Sequence, residues 1–282
     1  MPKKTYLITG ASDGIGKALA KRVANDDAKV IMHGRNSEKL NQAIAEVIDS
    51  SGNKKIYGVI ADFSSLRQVE EMTKEINGNY PELDVLINNA GHLTDKYQLS
   101  NDGLELTFAV NYLAPFLLTK KLLPTLIKNA PSRIINVSST AMGGGYLNFS
   151  DLQAENQFDG WQAYSNSKLA QVYFTHTLAE RISDSGVTCN SLCPGLIDTN
   201  FMHTNNIFNA EARQHMMSIM RPPEQGADIP YYLATAEEMS QISGEFFIRS
   251  DIDKGKIIPL AWDKRIENKL WEVSNDYIAN LL

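Results

Sequence analysis

The chain has 282 residues, 43% hydrophobic and 21% charged, an ordinary balance for a globular protein that buries a large core. Its formal net charge of −6 argues against nucleic acid or an anionic membrane as partner, since both are held by Lys/Arg patches. No stretch approaches the roughly 18 uninterrupted apolar residues of a membrane helix, because the richest, Phe108 to Ile127, is broken by Asn111, Pro115, Lys120, Lys121 and Pro124.

The N-terminus shows no signal-peptide pattern: Pro2-Lys3-Lys4 leads straight into a first strand, Tyr6–Thr9, so no membrane anchor is expected. Further short β-branched or apolar runs follow at Val30–His33, Ile56–Ile60, Val85–Asn88, Ile134–Val137, Val187–Leu192 and Glu245–Ile248. Helix-like segments alternate with them: Ile15–Asn25, Glu38–Asp49, Leu66–Asn77, Gly103–Lys128, Trp161–Ser183 and Gln225–Ala234. Such alternation predicts an α/β fold, a Rossmann-like, doubly wound parallel sheet of about seven strands with helices on both faces. No repeat or linker-like run divides the chain, so residues 1–282 read as one domain. Two loops break the rhythm, 140–160 and 200–222, and both lie where ligands bind in such sheets, at the carboxyl ends of strands.

Cys189 and Cys193 are the only cysteines, four residues apart on one strand. They would lie about 13 Å apart, too far for a disulfide, which suits a reducing, cytoplasmic setting. The histidines His33, His92, His176, His203 and His215 show no metal-ligand spacing, and no metal is expected.

The chemistry begins at Thr9-Gly10-Ala11-Ser12-Asp13-Gly14-Ile15-Gly16, between the first strand and the first helix. Gly10 permits a tight turn, while Gly14 and Gly16 allow a pyrophosphate and the neighbouring strand to approach closely. The second strand ends in His33-Gly34-Arg35-Asn36, with no carboxylate to hold ribose hydroxyls. Arg35 instead suits a 2′-phosphate, which favours NADP(H) over NAD(H). Asp62, after the third strand, is placed to accept from an adenine amino group.

Tyr164-Ser165-Asn166-Ser167-Lys168 sets Tyr-x-x-x-Lys on one helical face. Alone, that pattern is close to what chance supplies. It gains weight from Asn88-Asn89-Ala90-Gly91, Asn111, Asn136-Val137-Ser138-Ser139 and Pro194-Gly195-Leu196-Ile197-Asp198-Thr199, which fall in order near the ends of successive strands.

This joint pattern resembles the short-chain dehydrogenase/reductase family over nearly the whole chain. The resemblance implies a catalytic tetrad of Asn111, Ser139, Tyr164 and Lys168, with Ser139 chosen over Ser138 because the second serine is the family's usual one. It implies a cofactor site of Gly10, Ser12, Asp13, Gly14, Ile15, Gly16, Arg35, Asn36, Asp62, Phe63, Asn89, Ala90, Gly91, Tyr164, Lys168, Pro194, Gly195 and Thr199. A phenol with pKa near 10 needs a neighbouring cation to serve as a base, and Lys168 would supply it. Tyr164 would then pass a proton to or from the substrate oxygen, Ser139 would orient that oxygen, and Asn111 would hold a water.

The long interval between Ser139 and Tyr164, the stretch Leu147–Gln153, Arg35, Ser243–Phe247 and Leu270–Ser274 resemble the retinol dehydrogenase and WW-domain oxidoreductase-like branch. The implied activity is hydride transfer between NADP(H) and a small-molecule carbonyl or alcohol. A Met- and Phe-rich segment (Phe201, Met202, Phe208, Met216, Met217, Ile219, Met220), with Trp161 and Tyr146 nearby, points to a hydrophobic substrate. The competing reading is a non-catalytic NADP(H)-binding sensor or scaffold, which would have no need of the Ser, Tyr and Lys. Both a homodimer and a monomer fit the sequence.

Overall fold

The computed structural model describes residues 3–200, 207–249 and 255–282. Its sheet is built from β1 (Thr5–Ile8), β2 (Lys29–Gly34), β3 (Ile56–Ile60), β4 (Leu83–Asn88), β5 (Ser132–Val137), β6 (Val187–Cys193), β7 (Phe246–Arg249) and β8 (Gly255–Ile257). The spatial order is β3-β2-β1-β4-β5-β6-β7-β8. β1 to β7 pair in parallel and β8 closes the edge antiparallel to β7. The eighth strand is the addition to the seven expected, since three residues are too short to register as an apolar run.

Period-two alternation sorts each strand between two cores. Leu7, Ile31, Leu86 and Ile134 face a core completed by α3 (Leu66–Asn79), α5 (Ala114–Lys128), α6 (Gly160–Arg181) and α10 (Lys264–Leu281). Tyr6, Ile8, Met32, Ile87 and Ile135 face the opposite core with α1 (Gly14–Asn25), α2 (Ser37–Ser51) and α9 (Asp228–Thr235). Truncating one such leucine or isoleucine to alanine would cost about 2–5 kcal/mol. Because the strand order reverses between β1 and β4, the crevice at their carboxyl ends is the natural ligand site.

Local signals set the helix starts. Asp13, Asn36, Ser65 and Asp159 cap α1, α2, α3 and α6 by accepting a first-turn N–H, each worth about 1 kcal/mol.

The segment read as one helix, Gly103–Lys128, is broken. A short turn, α4 (Leu106–Phe108), is capped by the buried Glu105 and runs into a π-turn at Ala109–Leu113 before α5 begins. The Gln225–Ala234 segment likewise divides into α8 (Pro223–Gly226) and α9. Both cysteines are free and buried.

Candidate active site

The glycine loop is fixed by backbone approach. A Cβ on Gly16 would fall 2.4 Å from the Gly10 carbonyl oxygen and 2.6 Å from Asn89 Nδ2, so no larger residue fits unless backbone moves. Asn89 Nδ2 donates to the carbonyls of Thr9 (2.8 Å) and Gly10 (3.2 Å), and the Thr9 hydroxyl accepts from the Asn89 and Ala90 amides at 2.9 and 3.0 Å. Asn89 and Ala90 therefore brace the loop from β4. Gly91 is exposed just beyond them.

The first turn of α1 leaves amides without intrahelical acceptors, and its dipole favours an anion there. Asp13 spends Oδ1 on the Gly14 amide (2.7 Å). Ser12 packs beside Gly34 at the end of β2. Arg35 and Asn36 follow, both exposed; Asn36 caps α2 by accepting from Lys39 N at 2.9 Å. Asp62 Oδ1 accepts from the Ser64 amide at 2.9 Å. The Phe63 ring is buried, stacked on His33 with centroids 4.3 Å apart.

His33 is a residue that sequence reasoning missed. Its Nδ1 accepts from the Gly10 amide (3.2 Å), so Nε2 carries the proton and donates to the Ala61 carbonyl (3.0 Å). One neutral ring thus ties the glycine loop to β2 and β3, and burial pushes its pKa down to about 4. The available signal is a histidine inside an otherwise apolar run, Val30–His33.

The second cluster gathers at the ends of β5 and β6. Tyr164 is buried on α6 and hydrogen-bonded to Ser139, and its ring centroid lies 5.6 Å from Lys168 Nζ. Burial pushes the phenol up, and the Ser139 hydrogen bond offsets part of that. Burial pushes the Lys168 ammonium down to about 7. Ser138 is turned away: it is buried and donates to the Lys168 carbonyl at 3.0 Å.

Asn111 sits on the π-turn, a bulge that commonly accompanies functional sites. Its Oδ1 accepts from the His92 amide (2.6 Å), and Nδ2 donates to the His92 carbonyl and Ser167 Oγ, both at 2.9 Å. Ser167 Oγ donates in turn to the Tyr164 carbonyl at 2.7 Å. Asn111 therefore joins the segment after β4 to the Tyr164 helix through Ser167, a link the motif reading did not assign.

Pro194 is buried, while Gly195 is exposed at φ +93°, a left-handed conformation that favours glycine. Thr199 Cγ2 lies 2.9 Å from where a Gly14 Cβ would be, and Asn200 Nδ2 donates to Asp13 Oδ2 at 2.5 Å. The segment that leaves β6 thus begins against the glycine loop. It returns at a bridge in which the Asp198 amide donates to the Arg221 carbonyl (2.8 Å) and the Arg221 amide to Leu196 (3.0 Å).

Between these points α7 (Ala210–Ile219) buries no residue, and Met217 and Ile219 are exposed. Phe201 and Met202 lie outside the described residues. Phe208 meets Trp161 edge to face at 5.1 Å, and Trp161 lies 5.6 Å from the Tyr164 ring. Tyr146 is exposed at the rim of the other loop. That loop is fastened: the Glu105 amide donates to Gln153 Oε1 (2.7 Å), and the Tyr146 amide to Asn166 Oδ1 (2.7 Å).

Away from the cleft, α6 and α10 bring His176, Glu180 and Glu267 together, with ligand-type atoms within 4.8 Å of one another. The grouping was invisible to spacing along the sequence because Glu267 arrives from another helix. The Lys264 ammonium already bridges the two carboxylates, lying 2.9 Å from Glu267 Oε2, and His176 Nδ1 meets Glu267 Oε1 at 2.5 Å. It is an ion-pair clasp that holds α10 to α6.

Residues 4–209 match the family model described as short chain dehydrogenase. The chain is 36% identical over 297 residues to retinol dehydrogenase 14 of Homo sapiens, covering 100% of this chain and 88% of that protein. It is 35% identical over 280 residues to retinol dehydrogenase 13 of Mus musculus, covering 97% and 83%. Among solved structures it resembles an uncharacterized protein from Mycobacterium paratuberculosis, with TM-score 0.77, 27% identity and coverage of 97% of this chain and 92% of that one. It also resembles a short chain dehydrogenase from Shigella flexneri 2a crystallised with NADP, with TM-score 0.68, 27% identity and coverage of 87% and 96%.

Proposed function

The chain belongs to the short-chain dehydrogenase family, and on that premise we propose that it interconverts a carbonyl and an alcohol of an apolar small molecule, using NADP(H), with Tyr164 as the proton-transfer group. The observation that carries this reading is the cluster of Tyr164, Ser139 and Lys168 after β5, in the same sheet whose β1 ends in the braced glycine loop. When bound, the nicotinamide cofactor supplies the hydride, so no side chain need act as a nucleophile.

A buried phenol beside Ser139 is protonated at neutral pH, which suits donation to a carbonyl oxygen as that oxygen gains charge. Ser139 would donate a second hydrogen bond to the same oxygen. In the reverse direction Tyr164 must give up its proton, and the Lys168 cation favours the phenolate. The Trp161–Phe208 wall next to Tyr164 supports an apolar substrate. So do the relatives named as retinol dehydrogenases.

Arg35, exposed after β2 where no carboxylate stands, supports selection of a 2′-phosphate. The Shigella relative's NADP complex supports the same cofactor. Among the described residues no helix is long and apolar enough to cross a membrane, and two buried thiols suit a reducing compartment. Residues 1–282 acting as one domain in the cytoplasm belongs to the same reading.

The test is turnover of aldehydes and ketones, retinal among them, with NADPH and with NADH. Tyr164→Phe is expected to lower kcat/KM by about 10²–10⁴ while NADPH binding stays within a few-fold. Equal turnover by that variant would remove Tyr164 from the chemistry, and a preference for NADH would remove Arg35 from cofactor choice. NADPH binding without turnover of any carbonyl would favour a sensor.

A further inference from the structure

Three residues beyond Lys168 on the same face of α6 stands Gln171, only 1% exposed. Its Oε1 accepts from Lys168 Nζ at 3.0 Å, and the same ammonium donates to the Val137 carbonyl at 2.9 Å. The amide orientation follows from chemistry, since an ammonium offers only donors and must face the oxygen. That orientation leaves Gln171 Nε2 buried without a hydrogen-bond partner among the described residues.

A buried amide with an unmet N–H is costly, whereas a leucine or methionine of similar volume would carry no such cost. For stability alone Gln171 is therefore a poor choice. What it gives in return is a fixed acceptor on Lys168.

We propose that Gln171 is a positioning residue for the reaction: with the Val137 carbonyl it holds the Lys168 ammonium charged and aimed, leaving one N–H free to serve the site. The proposal rests on the reading of Lys168 as the cation beside Tyr164. An ammonium has three donors, and Val137 and Gln171 take two. With both fixed, the direction of the third N–H is set by the end of β5 and by α6 itself, both rigid elements. Side-chain hydroxyls anchor the helix backbone here: Ser138 Oγ donates to the Lys168 carbonyl (3.0 Å) and Thr175 Oγ1 to the Gln171 carbonyl (2.8 Å).

Among the described residues the groups that act on the ammonium are few. Its own helix contributes Tyr164 and Gln171, and β5 contributes the Val137 carbonyl. The titratable group from β6 is Cys193. Asn111 on the π-turn does not act on it, since its amide is engaged with His92 and Ser167. Burial pushes Lys168 toward deprotonation near neutral pH, so an oxygen acceptor at 3.0 Å matters to its charge.

The experiment compares Gln171→Met and Gln171→Glu with wild type, measuring kcat/KM against pH and, separately, NADPH affinity against pH by nicotinamide fluorescence. Losing the acceptor should let Lys168 deprotonate earlier, so in Gln171→Met the basic limb of both profiles moves to lower pH by about one unit. A carboxylate in the same place should move both limbs to higher pH by a similar amount. Opposite displacements by two near-isosteric variants are not the mark of general destabilisation, and a thermal scan of each apo-protein records whether it folds.

Both limbs unmoved in either folded variant would overturn the proposal. So would displacements in the same direction. Wild-type turnover by Tyr164→Phe would instead overturn the catalytic reading on which it rests. A Gln171→Met profile equal to wild type while Tyr164→Phe is inactive would overturn the role of Gln171 alone.

Discussion

The glycine loop is tied to neighbouring elements by buried polar groups: Thr9 and Asn89 lock β1 to β4, and His33 locks Gly10 to the end of β3. Across the cleft, the segment leaving β6 is pinned at its two ends, by Asn200 to Asp13 and by the Ile197–Arg221 bridge, while α7 between them buries nothing. One side is backbone held at fixed distances, and the other presents side chains on a helix with little burial to hold it. On the proposed function, such a division would fix the cofactor while leaving the substrate side free to accept different shapes. Regions with few buried contacts open locally at low free-energy cost.

The sharpest way to break the contrast is at Gly16. Gly16→Ala places a methyl against the Gly10 carbonyl, the Ala11 backbone and Asn89 Nδ2, and Asn89 can shift only by giving up its bonds to the Thr9 and Gly10 carbonyls. A loss of about 1–3 kcal/mol of stability is expected, with NADPH affinity reduced by more than ten-fold. Urea unfolding and fluorescence titration measure the two, and an unchanged pair would mean that the loop is looser than its contacts imply.

A smaller, pH-dependent effect belongs to His33. Its folded pKa is depressed, so between about 6.5 and 4 the unfolded chain binds a proton that the native ring refuses. Stability from this group is complete above about pH 6.5 and falls as pH drops toward 4, by at most about 3 kcal/mol. Comparing unfolding midpoints at several pH values, His33→Leu should flatten that slope. Identical slopes in the variant and wild type would show that other groups carry it.

The smallest effect is expected on the substrate side. Trp161→Ala should raise KM for bulky apolar carbonyls by roughly ten-fold, with stability changed by less than about 1 kcal/mol at this exposed position. Steady-state kinetics on bulky and small aldehydes would separate the two. A KM unchanged for the bulky substrates would take Trp161 out of the pocket wall.

Much of the architecture was readable before any coordinates. Strand–helix alternation predicts the parallel sheet because the inner strands β1, β2, β4, β5 and β6 are almost wholly buried between two layers of helices. The break in Gly103–Lys128 was not readable. A π-turn is stabilised by what Asn111 reaches on another segment, not by the propensities of its own residues. His33, Ser167 and Gln171 escaped for the same reason: each is an ordinary polar residue until a distant element supplies its partner.

What the sequence determined by itself is whatever depends on spacing along the chain: the order of strands and helices, the glycines of the loop, and a tyrosine and a lysine on one helical face. Only the tertiary structure decided which serine meets Tyr164, since Ser138 and Ser139 are adjacent and point to opposite sides of an extended segment. It also decided that the Lys168 ammonium rests on a strand carbonyl and a glutamine, because hydrogen-bond partners in a buried site are chosen by packing in three dimensions.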